Sequence, residues 1–163
     1  MLICAGNQEV SMKKALLLAI IMLLTTTARA ADNLNEGKQL LQDNCMGCHN
    51  AELDPPMGPP MFAVQKRYKM ATSDRNDFIN QLTVFTLHPS EDRAVMINAV
   101  ELLGVMPDIG ADEADVRKIA AYIHDTTFAP PCAHWQASIK AARARGDMRH
   151  AKKDQMMYNR MCK

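Results

Sequence analysis

Apolar residues recur along this chain at helical spacing, and no alternating run is long enough for a strand, so an all-α fold is predicted. The clearest segment is Asp112 to His124, where Val116, Ile119, Ala120 and Ile123 fall at i, i+3, i+4 and i+7 and Tyr122 flanks that face. Asp112, Glu113 and Asp115 crowd its first turn, where the helix dipole favours negative charge. Phe78, Ile79, Leu82 and Phe85 predict another helix, entered through Ser73 as N-cap and ended before Pro89. A third covers Glu91 to Leu103 and stops at Gly104. A fourth, Leu34 to Asp43, presents Leu34, Leu40 and Leu41 and holds Gly37 inside it. Glycine costs a helix about 1 kcal/mol relative to alanine, so a close crossing with another helix is the expected reason for Gly37.

The two ends of the chain follow other patterns. Lys13 and Lys14 precede the apolar run Ala15 to Leu24, which gives way to Thr25-Thr26-Thr27 and then Ala28-Arg29-Ala30. That order is a secretory signal peptide with its cleavage site after Ala30. Ten apolar residues fall short of the about 20 that a spanning helix needs, so no permanent anchor is expected. The mature chain then begins near Ala31. Eleven residues precede Met12, an unusual prefix for a signal peptide, which points to Met12 as the start and places Cys4 outside the protein. After Pro130-Pro131, Cys132 opens a stretch with Trp135, Ile139 and Ala142 at i, i+4 and i+7, broken at Gly146 and followed by Met148, Ala151, Tyr158 and Met161. Gly146 lies almost midway between Cys132 and Cys162. Two antiparallel helices turning there bring the cysteines together, and in the oxidising compartment that export implies this predicts a disulfide-closed αα-hairpin. A bridge of that loop length contributes on the order of 3.5 kcal/mol. The alternative is a basic tail with two free thiols.

The densest chemistry is Cys45-Met46-Gly47-Cys48-His49. Two thiols three residues apart, followed at once by an imidazole, form the attachment motif of c-type haem. Each sulfur makes a thioether to a vinyl-derived carbon of the porphyrin, and the neutral imidazole of His49 binds iron as proximal ligand. Two alternatives stand beside this reading. A thioredoxin-type dithiol wants a strand–turn–helix context, which the pattern lacks. A structural zinc site wants a second ligand pair, and Cys132 and Cys162 stand far apart as singles. There is no Gly-rich phosphate loop, internal repeat or second haem motif.

With these elements placed, the chain resembles the class I c-type cytochromes over most of residues 33–126. Gly37 and Leu41 lie eight and four residues before Cys45, as that family's glycine and its core apolar partner do. Ile119-Ala120-Ala121-Tyr122-Ile123 is similar to the family's C-terminal helix, whose aromatic residue packs over the glycine where the terminal helices cross. Gly58-Pro59-Pro60-Met61 resembles the segment whose proline carbonyl accepts a hydrogen bond from the proximal histidine; the resemblance makes Pro59 the residue that orients His49, although a rigid turn is the plain alternative. The resemblance also implies a fold of about four helices around one covalently attached haem c. Among the thirteen methionines it selects Met106, since Met106-Pro107 stands before the C-terminal helix where the family keeps its ligand loop. Met61, read as a wall of the haem crevice, and Met96, on the third helix, are the alternative ligands. His88 and His124 are expected as solvated or capping histidines.

With His49 and Met106 on the iron, the centre is six-coordinate and closed to substrate. That predicts a one-electron carrier rather than an enzyme, serving membrane or periplasmic oxidoreductases as redox partners. The competing reading, a haem enzyme or small-ligand sensor, requires an open distal site. Charge adds one further division. The net charge of +1 conceals 8 Lys/Arg against 15 Asp/Glu in residues 31–130, a balance of −7, and 8 against 2 in residues 131–163, a balance of +6. Three segments follow: signal peptide 1–30, haem domain 31–130 and basic extension 131–163. Lys140, Arg143, Arg145, Arg149, Lys152, Lys153, Arg160 and Lys163 have three readings: a solvated face that balances the acidic domain, contact with anionic lipid, or docking of an acidic redox partner. Docking is the preferred functional reading, because charge steers encounter. Nucleic acid is not an expected target for an exported protein.

Overall fold

The computed structural model describes residues 32, 34–52 and 56–163, and every regular element among them is helical. The expected signal peptide, residues 1–30, and its cleavage site lie outside the described residues. The chain divides into two units, 1–36 and Gly37–Lys163. In the first, residues 34–36 are helical. The second begins with helical residues 37–44 (α1) and continues through α2 (Met61–Ala71), α3 (Arg75–Leu87), α4 (Ile97–Leu103), α5 (Glu113–Asp125), α6 (Cys132–Ala144) and α7 (Met148–Met161). No described helix is long and apolar enough to cross a membrane.

The α5 helix forms where its periodicity placed it. Asp112 is the N-cap, its carboxylate accepting from the Ala114 N–H at 2.8 Å, and Val116, Ile119, Ala120 and Ile123 are buried. Its principal neighbour is α3, which meets it with Phe78, Ile79 and Leu82. The N-cap of α3 is Asp74, one residue beyond the expected Ser73. The Asp74 carboxylate accepts from the N–H groups of Asn76 and Asp77, while the Ser73 N–H donates to the Asp77 carboxylate at 2.9 Å. An ionised acceptor that reaches two orphan donors prevails over a hydroxyl one residue earlier.

The α2 helix was not expected from the sequence. Pro60 caps it without a side-chain acceptor, and Lys66, Arg67, Lys69 and Met70 face out. Only Met61, Val64 and Tyr68, at i, i+3 and i+7, are apolar and buried, with Gln65 beside them. The Gln65 amide donates to the carbonyls of Ile123 and Thr126, satisfying acceptors left open where α5 ends.

The single helix expected over Glu91 to Leu103 is in fact two pieces. A 3-10 turn, Glu91–Arg93, is separated from α4 by Ala94, Val95 and Met96, with Ala94 in extended conformation. Arg67 Nε donates to the Val95 carbonyl at 3.1 Å and holds the break. The interruption places Val95 and Met96 against the same cavity that α2 lines. Gly104 ends α4 with φ 82°, a conformation that favours glycine.

Gly37 meets α5 at very close range. A Cβ built on it would lie 2.5 Å from the Lys118 carbonyl oxygen and 3.0 Å from Tyr122 Cβ. The close crossing inferred from a glycine inside a helix is therefore present, with Tyr122 as the partner.

Residues 131–163 form the expected hairpin. α6 and α7 pack along each other, Gly146 turns between them with φ 78°, and the sulfurs of Cys132 and Cys162 lie at bonding distance, 2.02 Å. Ile139, Ala142 and Ala151 are buried. The hairpin leans on α2: the Trp135 ring meets Phe62 edge-on at 6.4 Å, and Lys66 Nζ lies 3.9 Å from Met161 Sδ.

Candidate functional site

The last turn of α1 delivers Cys45-Met46-Gly47-Cys48-His49. The Cys45 N–H donates to the Leu41 carbonyl at 3.0 Å, and the Cys48 and His49 N–H groups donate to the Cys45 carbonyl at 3.2 and 3.0 Å. The motif is thus one tight turn, which sets Cys45, Cys48 and His49 on the wall of a single cavity. Cys45 and Cys48 are not bridged to each other. Burial, with Cys48 beside it, pushes the Cys45 thiol up before any thioether forms.

His49 is oriented by the backbone of the cavity wall. Its Nδ1 lies 2.7 Å from the Pro59 carbonyl. A carbonyl only accepts, so Nδ1 carries the proton and Nε2 keeps its lone pair. Gly58 makes the approach possible: a Cβ there would lie 3.3 Å from His49 Nδ1, His49 Cε1 and the Cys48 carbonyl oxygen. Burial holds the imidazole below its usual range against the opposing pull of the Pro59 carbonyl. A neutral ring with a free Nε2 is the form that binds a metal.

The rest of the cavity, about 240 Å³ in all, is mostly apolar, with Asn44 and Thr86 as polar exceptions. Met61, Val64 and Tyr68 come from α2, Leu82 and Phe85 from α3, Val116, Ile119 and Ile123 from α5, and Val95, Met96 and Met106 from the segments between. Every site residue expected from the sequence reaches it: Cys45, Cys48, His49, Pro59, Met61 and Met106. Met106 is half-buried. His88 and His124 do not reach it. His88 is the exposed C-cap of α3, and His124 holds its Nδ1 2.8 Å from Asp125 and packs edge-on to Phe78. Sequence reasoning missed Val95 and Tyr68 as lining residues, and the only signal for them was the apolar spacing of helices it had misplaced or overlooked.

The arrangement fits a covalently held haem. Two thiols and one neutral imidazole converge on one wall, and an apolar crevice faces them. Among the described residues no cluster of three or more His, Cys, Asp or Glu gathers to hold a metal ion directly, which leaves the zinc alternative without a ligand set there. The family model for cytochrome c matches residues 34–127. No curated protein and no solved structure matches the chain.

Proposed function

The chain belongs to the cytochrome c family and carries haem c as its cofactor, and we propose that it is an exported monohaem electron carrier with His49 and Met106 as iron ligands. The observation that carries this reading is the His49 Nδ1–H donated to the Pro59 carbonyl at 2.7 Å, which frees Nε2 for iron in a crevice that Met106 also lines. Bound haem c supplies a reversible one-electron couple.

The chain's residues set the terms of that couple. Cys45 and Cys48 tether the ring through sulfur. Pro59 holds His49 in one tautomer and rotation, so the ligand does not reorganise as the charge changes. The Met106 thioether favours the ferrous state, and the apolar walls from α2, α3 and α5 act in the same direction, because low dielectric disfavours the extra charge of ferric iron. With His49 and Met106 both holding the iron, no site would remain for substrate, which argues for electron transfer over chemistry on a bound molecule. Pairing of Cys132 with Cys162 agrees with an oxidising, periplasmic location, as does the leader-like pattern of residues 1–30.

A potentiometric titration of the exported holoprotein tests the reading. The expected result is a reversible one-electron Nernst curve from a chain that begins at Ala31. A cytoplasmic, uncleaved product, or a centre that turns over substrate without shuttling electrons to a mediator, would contradict it.

A further inference from the structure

The outer side of α7 is a stripe of one charge sign. Arg149, Lys152, Lys153, Met156 and Arg160 stand at i, i+3, i+4, i+7 and i+11, which at 3.6 residues per turn puts them on one face, and Lys163 follows just past the helix end at Cys162. All six are exposed, Met156 to 60 %. Among the described residues none of the five cations has an ion-pair or hydrogen-bond partner. Both acids of the hairpin are engaged elsewhere. Asp147 caps α7 by accepting from the His150 N–H, and Asp154 faces α6, accepting from the Ser138 hydroxyl at 2.6 Å and lying 3.0 Å from His150 Nε2.

The stripe points away from the crevice. The opposite face of α7 is used inside the protein: Ala151 is buried, the Tyr158 hydroxyl accepts from Gln136, and Met161 touches Lys66. On α2, Phe62 and Lys66, which meet the hairpin, sit roughly 150° round the axis from Met61, Val64 and Tyr68, which line the crevice. A partner seated on the stripe therefore meets the side of the hairpin turned away from the crevice.

We infer that the α7 stripe is an attachment face for an anionic phospholipid surface, holding the cytochrome with its crevice free for redox partners. Which membrane this is rests on the export reading above; the chemistry of attachment does not. Its row holds no aromatic residue, since Trp135 and Tyr158 both turn inward, and three of its five cations are lysine, which protein interfaces deplete, although Arg149, Arg160 and Met156 are of types they enrich. A straight row of flexible cations suits a plane of diffuse negative charge. The acidic balance of residues 31–130 opposite the basic balance of 131–163 orients the molecule with the extension toward such a plane. Ala151 is buried in the hairpin, and Met156 in the row and Met148 in the first turn are the exposed apolar residues of α7 among those described, too few for insertion, so attachment is electrostatic, reversible and salt-sensitive.

Holoprotein co-sedimented with mixed phosphatidylcholine–phosphatidylglycerol vesicles should bind, be released by salt, and ignore pure phosphatidylcholine. Lys152→Gln with Lys153→Gln should weaken partitioning roughly 25-fold, at about fivefold per charge. Lys38→Gln with Lys69→Gln, which removes equal charge from the haem-bearing part, should change it by no more than a few-fold. Both variants should keep the wild-type visible spectrum and midpoint potential, which separates failure of attachment from failure of electron carriage. Equal binding by the stripe variant and wild type would overturn the inference. So would wild-type protein that ignores the anionic vesicles, including the case in which it is instead retained, through the stripe, on an immobilised acidic protein.

Discussion

Met106→Ala is expected to open the distal side of the iron. The ferric protein should turn high-spin, the reduced protein should bind carbon monoxide rapidly, and the midpoint potential should fall by on the order of 0.1 V or more, within the roughly 0.8 V that axial ligation spans. The direction follows from losing a ligand that favours ferrous iron and admitting water to an apolar crevice. Met61 and Met96 line the same cavity, so the variant also discriminates among the three sulfurs. Met61 is 6 % exposed and packed within α2, and Met96 is held at the N-cap of α4; neither stands on the loop before α5. An unchanged spectrum in Met106→Ala would assign the ligand to one of them.

Gly37→Ala should have the largest effect on stability of any change this small. On an open helix surface the substitution gains about 1 kcal/mol from propensity. At this crossing the new Cβ would sit 2.5 Å from a backbone oxygen of α5, which no side-chain rotation relieves. Overpacking of this kind costs typically 1–3 kcal/mol, and more where backbone must move, so a net loss is expected, measured as a lower denaturant midpoint with an unchanged slope. Gly47→Ala is the matched control. Nothing lies within 4 Å of a Cβ there, and a change within about 0.5 kcal/mol is expected.

What could be read from the sequence follows from which signals are local. The α5 helix was legible because its cap, its acidic first turn and its buried face agree. The hairpin was legible because two cysteines and a glycine mark its ends and its turn. Gly37 was legible through its cost. The α2 helix was hidden, because a Pro-Pro entry and four outward residues, Lys66, Arg67, Lys69 and Met70, dilute its narrow apolar face. The break before α4 was hidden for a different reason: it is imposed by what Val95 and Met96 line and by Arg67, a residue 28 positions away. The Gln65 contacts with the end of α5 are equally non-local. Within the site, Cys45, Cys48 and His49 announce themselves through spacing. Pro59 and Met106 came only through resemblance, because a carbonyl and a thioether carry no spacing of their own.

The charge of the extension was countable from the sequence, but its direction was not. Eight cations could have surrounded the hairpin evenly. Only the engagement of Asp154 with Ser138, and the seating of the hairpin on Phe62 and Lys66, show that four of them share the outer face of α7, with Lys163 just beyond its end.

A closed His49–Met106 iron centre on haem c is tested by the absorption spectrum of the wild-type holoprotein in both oxidation states, with and without carbon monoxide. A low-spin centre, a thioether-to-ferric charge-transfer band and no rapid carbon monoxide binding on reduction are expected. A high-spin reduced protein that binds carbon monoxide at once would contradict it and establish an open distal site.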